Sequence, residues 1–213
     1  AYEIGVRLVG SEMCIRDRMM IYRMHLKYKD VTPEKWKEIT RLLDGDGIGG
    51  IHLWSGDGSS SIAIMNEIQK RSRSPIIFDA DIERGFGQRF PSGTDFPPMM
   101  AITATGNPKN AYEVGKIVAL ESKAAGVQWN LSPVVDVNNN PDNPIINFRS
   151  YGDDPRLVSI FGNSFIRGVQ EEGLYACVKH FPGHGNTGTD SHTKLPIIPG
   201  SKKDFSNIEL PPF

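Results

Sequence analysis

Four short apolar runs, each separated from the next by a segment of helical periodicity, constrain this chain's fold more than any other feature. The runs are residues 48–53, 76–78, 127–131 and 174–178. They are too short for helices and read as strands. Between them, Thr32 is placed to cap a helix that starts at Pro33 and runs to Leu43; proline suits the first helical position because the N–H it lacks would be unpaired there anyway. Residues 61–71 form a second helical pattern. Asn107-Pro108 opens a third, with Val114, Ile117 and Val118 on its apolar face and Gly126 as its stop. Asp154-Pro155 opens a fourth, running to about Glu172 and closed by Gly173. Strand alternating with helix implies parallel pairing through crossovers, and strands this apolar suit burial on both faces. The expected fold class is therefore α/β: a partial (β/α)8 barrel of TIM type, roughly the first four to five strand-helix units. A closed barrel takes eight units in about 250 residues. The last strand is expected to present an open edge and an uncovered apolar face, to the detriment of solubility.

Residues 1–18 show neither helical nor strand periodicity. They read as a non-native or disordered leader, excluded from the fold, with residues 19–213 as one incomplete barrel domain. The chain opens without a signal-peptide pattern, but with its first residues set aside the compartment stays open. A net charge of −1 with 23% charged residues gives no basic field for nucleic acid. No run of about 18 apolar residues exists to span a membrane. Cys14 and Cys177 are the only cysteines, so no disulfide framework is implied. The pairs Met19-Met20 and Met99-Met100 are expected to fill core. Nothing in the composition fixes an oligomeric state.

The chemistry concentrates in one loop. The strand 174–178 leads into Lys179-His180-Phe181-Pro182-Gly183-His184-Gly185, and Asp190-Ser191-His192 follows at once. Loops at the ends of barrel strands are where such folds carry their active groups. An aspartate and a histidine two apart on a loop can turn toward each other, the carboxylate fixing the imidazole's tautomer and stabilising its protonated form. With an ordinary pKa of roughly 6.5, an imidazole so held exchanges a proton near neutrality. A second reading is a metal site, since His180, His184, His192 and Asp190 are all acceptable zinc ligands. Against it, Pro182, Gly183 and Gly185 break the helix on which two histidines four apart would share a face, and no glutamate follows His180.

The string Lys179 to Pro196 resembles the signature loop of glycoside hydrolase family 3, in its β-N-acetylhexosaminidase branch, which carries an Asp-x-His pair there. Two further segments agree. Residues 76–90 run from an apolar strand into Asp79-Ala80-Asp81-Ile82-Glu83-Arg84-Gly85, similar to the family's Asp-x-Glu-x-Gly segment. Residues 141–155, with Asn147, Arg149, Tyr151, Gly152, Asp154 and Pro155, resemble its Asn-x-Arg-x-Phe/Tyr-Gly-x-Asp-Pro loop. The resemblance implies that Asp81 hydrogen-bonds sugar hydroxyls, that Arg149 presents its fork of donors to the sugar, and that Lys179 and His180 grip it beside them. Glu83, Arg84 and Arg89 are expected to pair with one another and hold their loop. The alternative for Arg149 is an ion pair with Asp153 or Asp154.

The same resemblance implies a retaining exo-glycosidase that releases terminal β-linked N-acetylhexosamine from a carbohydrate substrate without a cofactor or metal. A carboxylate attacks the anomeric carbon, and His192, oriented by Asp190, serves as general acid and then base. The acceptor, water or phosphate, stays open. The family's nucleophilic aspartate lies on a later strand; after His192 the remaining aspartate is Asp204, in a charged stretch that reads as a helix start. The 213-residue polypeptide alone is therefore expected to hydrolyse no glycoside. The family's usual first segment is not recognisable, so the barrel is expected to be incomplete at both ends. A metal-dependent hydrolase using His180, His184, His192 and Asp190, and a non-catalytic carbohydrate-binding relic, are the competing readings.

Overall fold

The structure, a computed structural model, describes residues 18–27, 31–45 and 47–213. Apart from Arg18, the leader expected over residues 1–18 lies outside the described residues, as does Cys14. Five strands form one sheet in chain order: β1 (Ile21–Leu26), β2 (Gly50–Gly56), β3 (Ile77–Ala80), β4 (Trp129–Asn130) and β5 (Tyr175–Ala176). Every neighbouring pair is parallel, so each connection is a crossover. The helices α1 (Pro33–Asp44), α2 (Ser59–Arg71), α3 (Met99–Ala104), α4 (Pro108–Ala124) and α5 (Pro155–Glu171) provide them. No described helix is long and apolar enough to cross a membrane.

The helix starts follow from their caps. Thr32, Asn107 and Asp154 each accept a backbone hydrogen bond from the first turn of α1, α4 and α5, and each is followed by proline. Gly126 and Gly173 close α4 and α5 with φ of 91° and 78°, where a β-carbon would be strained. These two helices cross closely. A methyl on Gly115 would sit 2.3 Å from the Phe165 carbonyl oxygen, and one on Gly168 would sit 2.1 Å from that of Tyr112. Close approach lets Phe161 and Phe165 bury fully beneath them, each contributing about 1.5–3 kcal/mol relative to exposure.

Strand β1 is an element that the four apolar runs do not include. Its sequence, Ile-Tyr-Arg-Met-His-Leu, buries only Met24 and Leu26 and turns Ile21, Arg23 and His25 outward. It lies at the sheet edge with one covered face, so it shows alternation rather than the continuous apolar run that marks β2. The last strand is likewise an edge, as expected: Leu174 is buried but Tyr175 is exposed, so burial on both faces does not extend to it. Met99 fills core as expected, whereas Met19 and Met20 are exposed. The ladder between β4 and β5 pairs only Trp129 with Tyr175 and Asn130 with Ala176. Pairing resumes at the Val134–Lys179 bridge, which sets Lys179 at the open end of the sheet.

Candidate active site

The C-terminal ends of the strands converge on a cavity of about 690 Å³. Asp81 and Glu83 reach it from the loop after β3, Arg149 from the loop after β4, and Lys179, His180 and His192 from the loops after β5. Trp54 and Phe148 add aromatic walls. Of the six residues singled out from the sequence, five line this cavity, and the sixth, Asp190, contacts one of those five, His192.

Its floor is a charge network. Lys179 Nζ lies 2.6 Å from Asp81 Oδ1 and 2.9 Å from Glu83 Oε1. Arg149 forks onto Glu83, Nε to Oε2 at 3.0 Å and Nη2 to Oε1 at 2.7 Å, while its Nη1 donates to the Ile145 carbonyl at 2.9 Å. Burial alone would push the Glu83 carboxyl up, but the Arg149 fork and the charge of Lys179 outweigh it and hold it at about 2. Glu83 is thus the anion that spaces the two cations. The expected trio of Glu83, Arg84 and Arg89 does not form. Arg84 pairs with Asp95, and Arg89 reaches Asp81 by its side chain and the Asp81 carbonyl. The fork on Glu83 also displaces the alternative pairing of Arg149 with Asp153 or Asp154.

Asp136, fully buried, organises the loop that follows β5. Its carboxylate accepts from the backbone N–H groups of His180 and His184 and from His180 Nδ1, the last at 2.6 Å. His180 then turns Nε2 toward Arg149 Nη2 at 3.5 Å. Asn143 ties the two loops together by donating to the carbonyls of His184 and Gly185. Gly185 fits because any methyl there would meet the Val137 carbonyl oxygen at 1.7 Å. Neither Asp136 nor Asn143 was singled out from the sequence. The available signal was a lone carboxylate inside the apolar run Val134-Val135-Asp136-Val137, which must find donors if buried. Behind the loop, Glu209 is buried against Gly183; burial first, then the facing charge of Asp136, push its carboxyl up to about 7.

The outer wall is the loop carrying Asp190 and His192. Asp190 Oδ1 accepts from the backbone N–H of His192 at 2.9 Å and lies 2.7 Å from its Nδ1. These two contacts, backbone before side chain, hold Asp190 below the usual carboxylate range. The imidazole is 75% exposed and is one of the side chains that line the cavity with Arg149 and Lys179. His184 is a different kind of residue, buried with Nδ1 against Thr187. Asp204 caps the turn Lys202–Asp204 in a reciprocal pair with Ser201. Among the described residues no three His, Cys, Asp or Glu side chains converge as metal ligands would, so His180, His184, His192 and Asp190 are not gathered around one point.

A parallel sheet with its cleft at the C-terminal strand ends defines a protein of the TIM-type (β/α) barrel class. The chain belongs to the glycosyl hydrolase family 3 N terminal domain family, whose sequence model matches residues 21–213. It is 33% identical over 190 residues to beta-hexosaminidase A of Pseudoalteromonas piscicida, an alignment covering 83% of this chain and 32% of that protein. It is also 33% identical over 183 residues to a beta-hexosaminidase of Thiobacillus denitrificans, covering 81% of this chain and 51% of the relative. Among solved structures it superposes on a family 3 beta-N-acetylglucosaminidase from a Paenibacillus species with a TM-score of 0.84 and 32% identity, covering 95% of this chain and 39% of that one. The chain therefore spans between about a quarter and a half of the length of the curated relatives it matches.

Proposed function

We propose that the intact gene product is a retaining β-N-acetylhexosaminidase that releases terminal N-acetylglucosamine from a carbohydrate substrate, with His192 as general acid and base. The observation that carries this reading is the Asp190–His192 contact on the rim of a cavity floored by Asp81, Lys179, Glu83 and Arg149. The floor offers a hydroxyl acceptor at Asp81 beside a cation at Lys179, the pairing that neighbouring hydroxyls of a pyranose require. Arg149, rigid through its fork on Glu83, offers donors to the oxygens of an N-acetyl sugar.

In this reading the sugar lies on the floor with its glycosidic oxygen toward His192. Asp190 holds Nδ1 and leaves Nε2 to give its proton to the departing oxygen, then to take one from the incoming water. The carboxylate that attacks the anomeric carbon comes from a segment of the barrel other than those described. The relatives named beta-hexosaminidase support the substrate class, and the positions of five of the residues at the cavity and of Asp190 against His192 support their roles. Initial rates on an aryl N-acetyl-β-glucosaminide and the matching aryl β-glucoside test the assignment. Turnover of the first, at least about tenfold faster than the second, is expected from the hydrogen bonds that the missing N-acetyl group would leave unmade. Equal rates, or turnover of neither, would refute it.

A further inference from the structure

Two aspartate–histidine contacts border the cavity, and a third lies just behind it. His52 on β2 and Asp79 on β3 are register partners in adjacent parallel strands, so their side chains leave the sheet on the same side. His52 Nδ1 lies 2.5 Å from Asp79 Oδ1. Asp79 is fully buried, and its Oδ2 has no partner among the described residues. A carboxylate so enclosed depends on the donor it has, which assigns the hydrogen of this contact to Nδ1 and fixes the ring. The far edge of the ring then faces Asp81, the first residue past β3: Nε2 is 3.7 Å from Asp81 Oδ2. Trp54 flanks the imidazole with ring centroids 6.2 Å apart.

Asp81 is thus held from three sides. Lys179 grips Oδ1, while Arg89 Nη2 at 3.6 Å and His52 Nε2 stand off Oδ2. Both distances to Oδ2 exceed a hydrogen bond, which leaves that oxygen open to a further donor. His52 itself is not among the residues lining the cavity.

We propose that His52, locked by Asp79 and carrying a hydrogen on each ring nitrogen, is a positioning residue whose Nε2–H faces Asp81 and sets the rotation of that carboxylate, keeping Oδ1 on Lys179 and offering Oδ2 to a sugar hydroxyl. This rests on the reading of Asp81 as a sugar contact. His52 touches neither the glycosidic bond nor the proton in flight, so it acts on binding rather than on the chemical step.

Two amides separate the ends of the ring. Asparagine at position 52 keeps a donor near Asp79 but cannot reach Asp81; glutamine reaches toward Asp81. Calorimetry of the intact gene product with N-acetylglucosamine, beside steady-state kinetics on an aryl N-acetyl-β-glucosaminide, reads the difference. His52→Asn is expected to weaken sugar binding and raise KM about tenfold, with kcat nearly unchanged, and His52→Gln to restore most of the binding. Wild-type affinity in His52→Asn, while Asp81→Asn loses binding, would overturn the role of His52 alone. Full affinity in Asp81→Asn would overturn it together with the sugar-contact reading. Should the asparagine variant not fold, nitrogen chemical shifts of the His52 ring in the wild-type protein decide the matter. A shift of Nε2 on saturation with N-acetylglucosamine is expected, and an unmoved ring would contradict the proposal.

Discussion

Replacing His192 by alanine in the intact gene product is expected to lower kcat by about 10²- to 10⁴-fold on a natural glycoside while leaving KM within a few-fold. The imidazole is 75% exposed and its contacts with protein run to Asp190, so truncation removes little packing and the effect falls on the chemical step. The leaving oxygen needs a proton in proportion to its basicity. Loss of the acid should therefore be much smaller in kcat/KM on an aryl glycoside whose phenol leaves unaided, while kcat stays low there because the second step has lost its base, and steady-state kinetics on the two substrates read this contrast. Asp190→Asn should give an intermediate loss, because the amide can still orient the ring but no longer stabilises the imidazolium. A His192→Ala enzyme that loses affinity and rate alike on both substrates would mean that the histidine binds the sugar and moves no proton.

Arg149→Ala is the second change with a large expected effect, and it acts on stability as well as on binding. The guanidinium supplies two of the hydrogen bonds that allow Glu83 to be buried and ionised. Its removal leaves Lys179 at 2.9 Å as the remaining cation on a buried carboxylate. A loss of about 3 kcal/mol at pH 7 is expected, together with loss of sugar binding. The pH dependence identifies the cause. In the wild-type fold Glu83 titrates at about 2, below its ordinary value of 4.5. A depressed carboxyl stabilises the fold above its unfolded pKa, and that contribution fades as pH falls from about 4.5 toward 2. A shift of this size corresponds to about 3 kcal/mol. Urea denaturation at pH 7 and pH 3 should show a large difference for the wild type and a smaller one for Arg149→Ala. Arg149→Lys should recover part of the charge effect but not the fork. Equal pH dependence in wild type and variant would show that Glu83 does not depend on this pair.

Much of the fold was legible because its signals are local. Thr32, Asn107 and Asp154 cap the helices they were expected to cap, and Gly126 and Gly173 end two of them, since caps and positive-φ glycines act within one turn. Strand β1 was missed because an edge strand covered on one face alternates, and alternation over six residues with Arg23 and His25 outward looks like a surface segment. The site split the same way. The Asp190–His192 contact spans two residues and could be read directly. The partners of Glu83 lie 66 and 96 positions away in sequence, at Arg149 and Lys179, so nearest-neighbour reasoning paired it instead with Arg84 and Arg89. Asp136 and the pairing of Asp79 with His52 escaped notice for a related reason. A buried carboxylate is recognised by the donors around it, and those donors come from strands that meet only after the chain has crossed over.

The most direct measurement is the structure of the intact gene product bound to a non-hydrolysable N-acetyl-β-glucosaminide. The sugar ring is expected on the floor formed by Asp81, Lys179 and Arg149, with His192 Nε2 within about 3 Å of the atom that replaces the glycosidic oxygen. An imidazole turned away from that atom, or a sugar bound outside this cavity, would contradict the role assigned to the histidine.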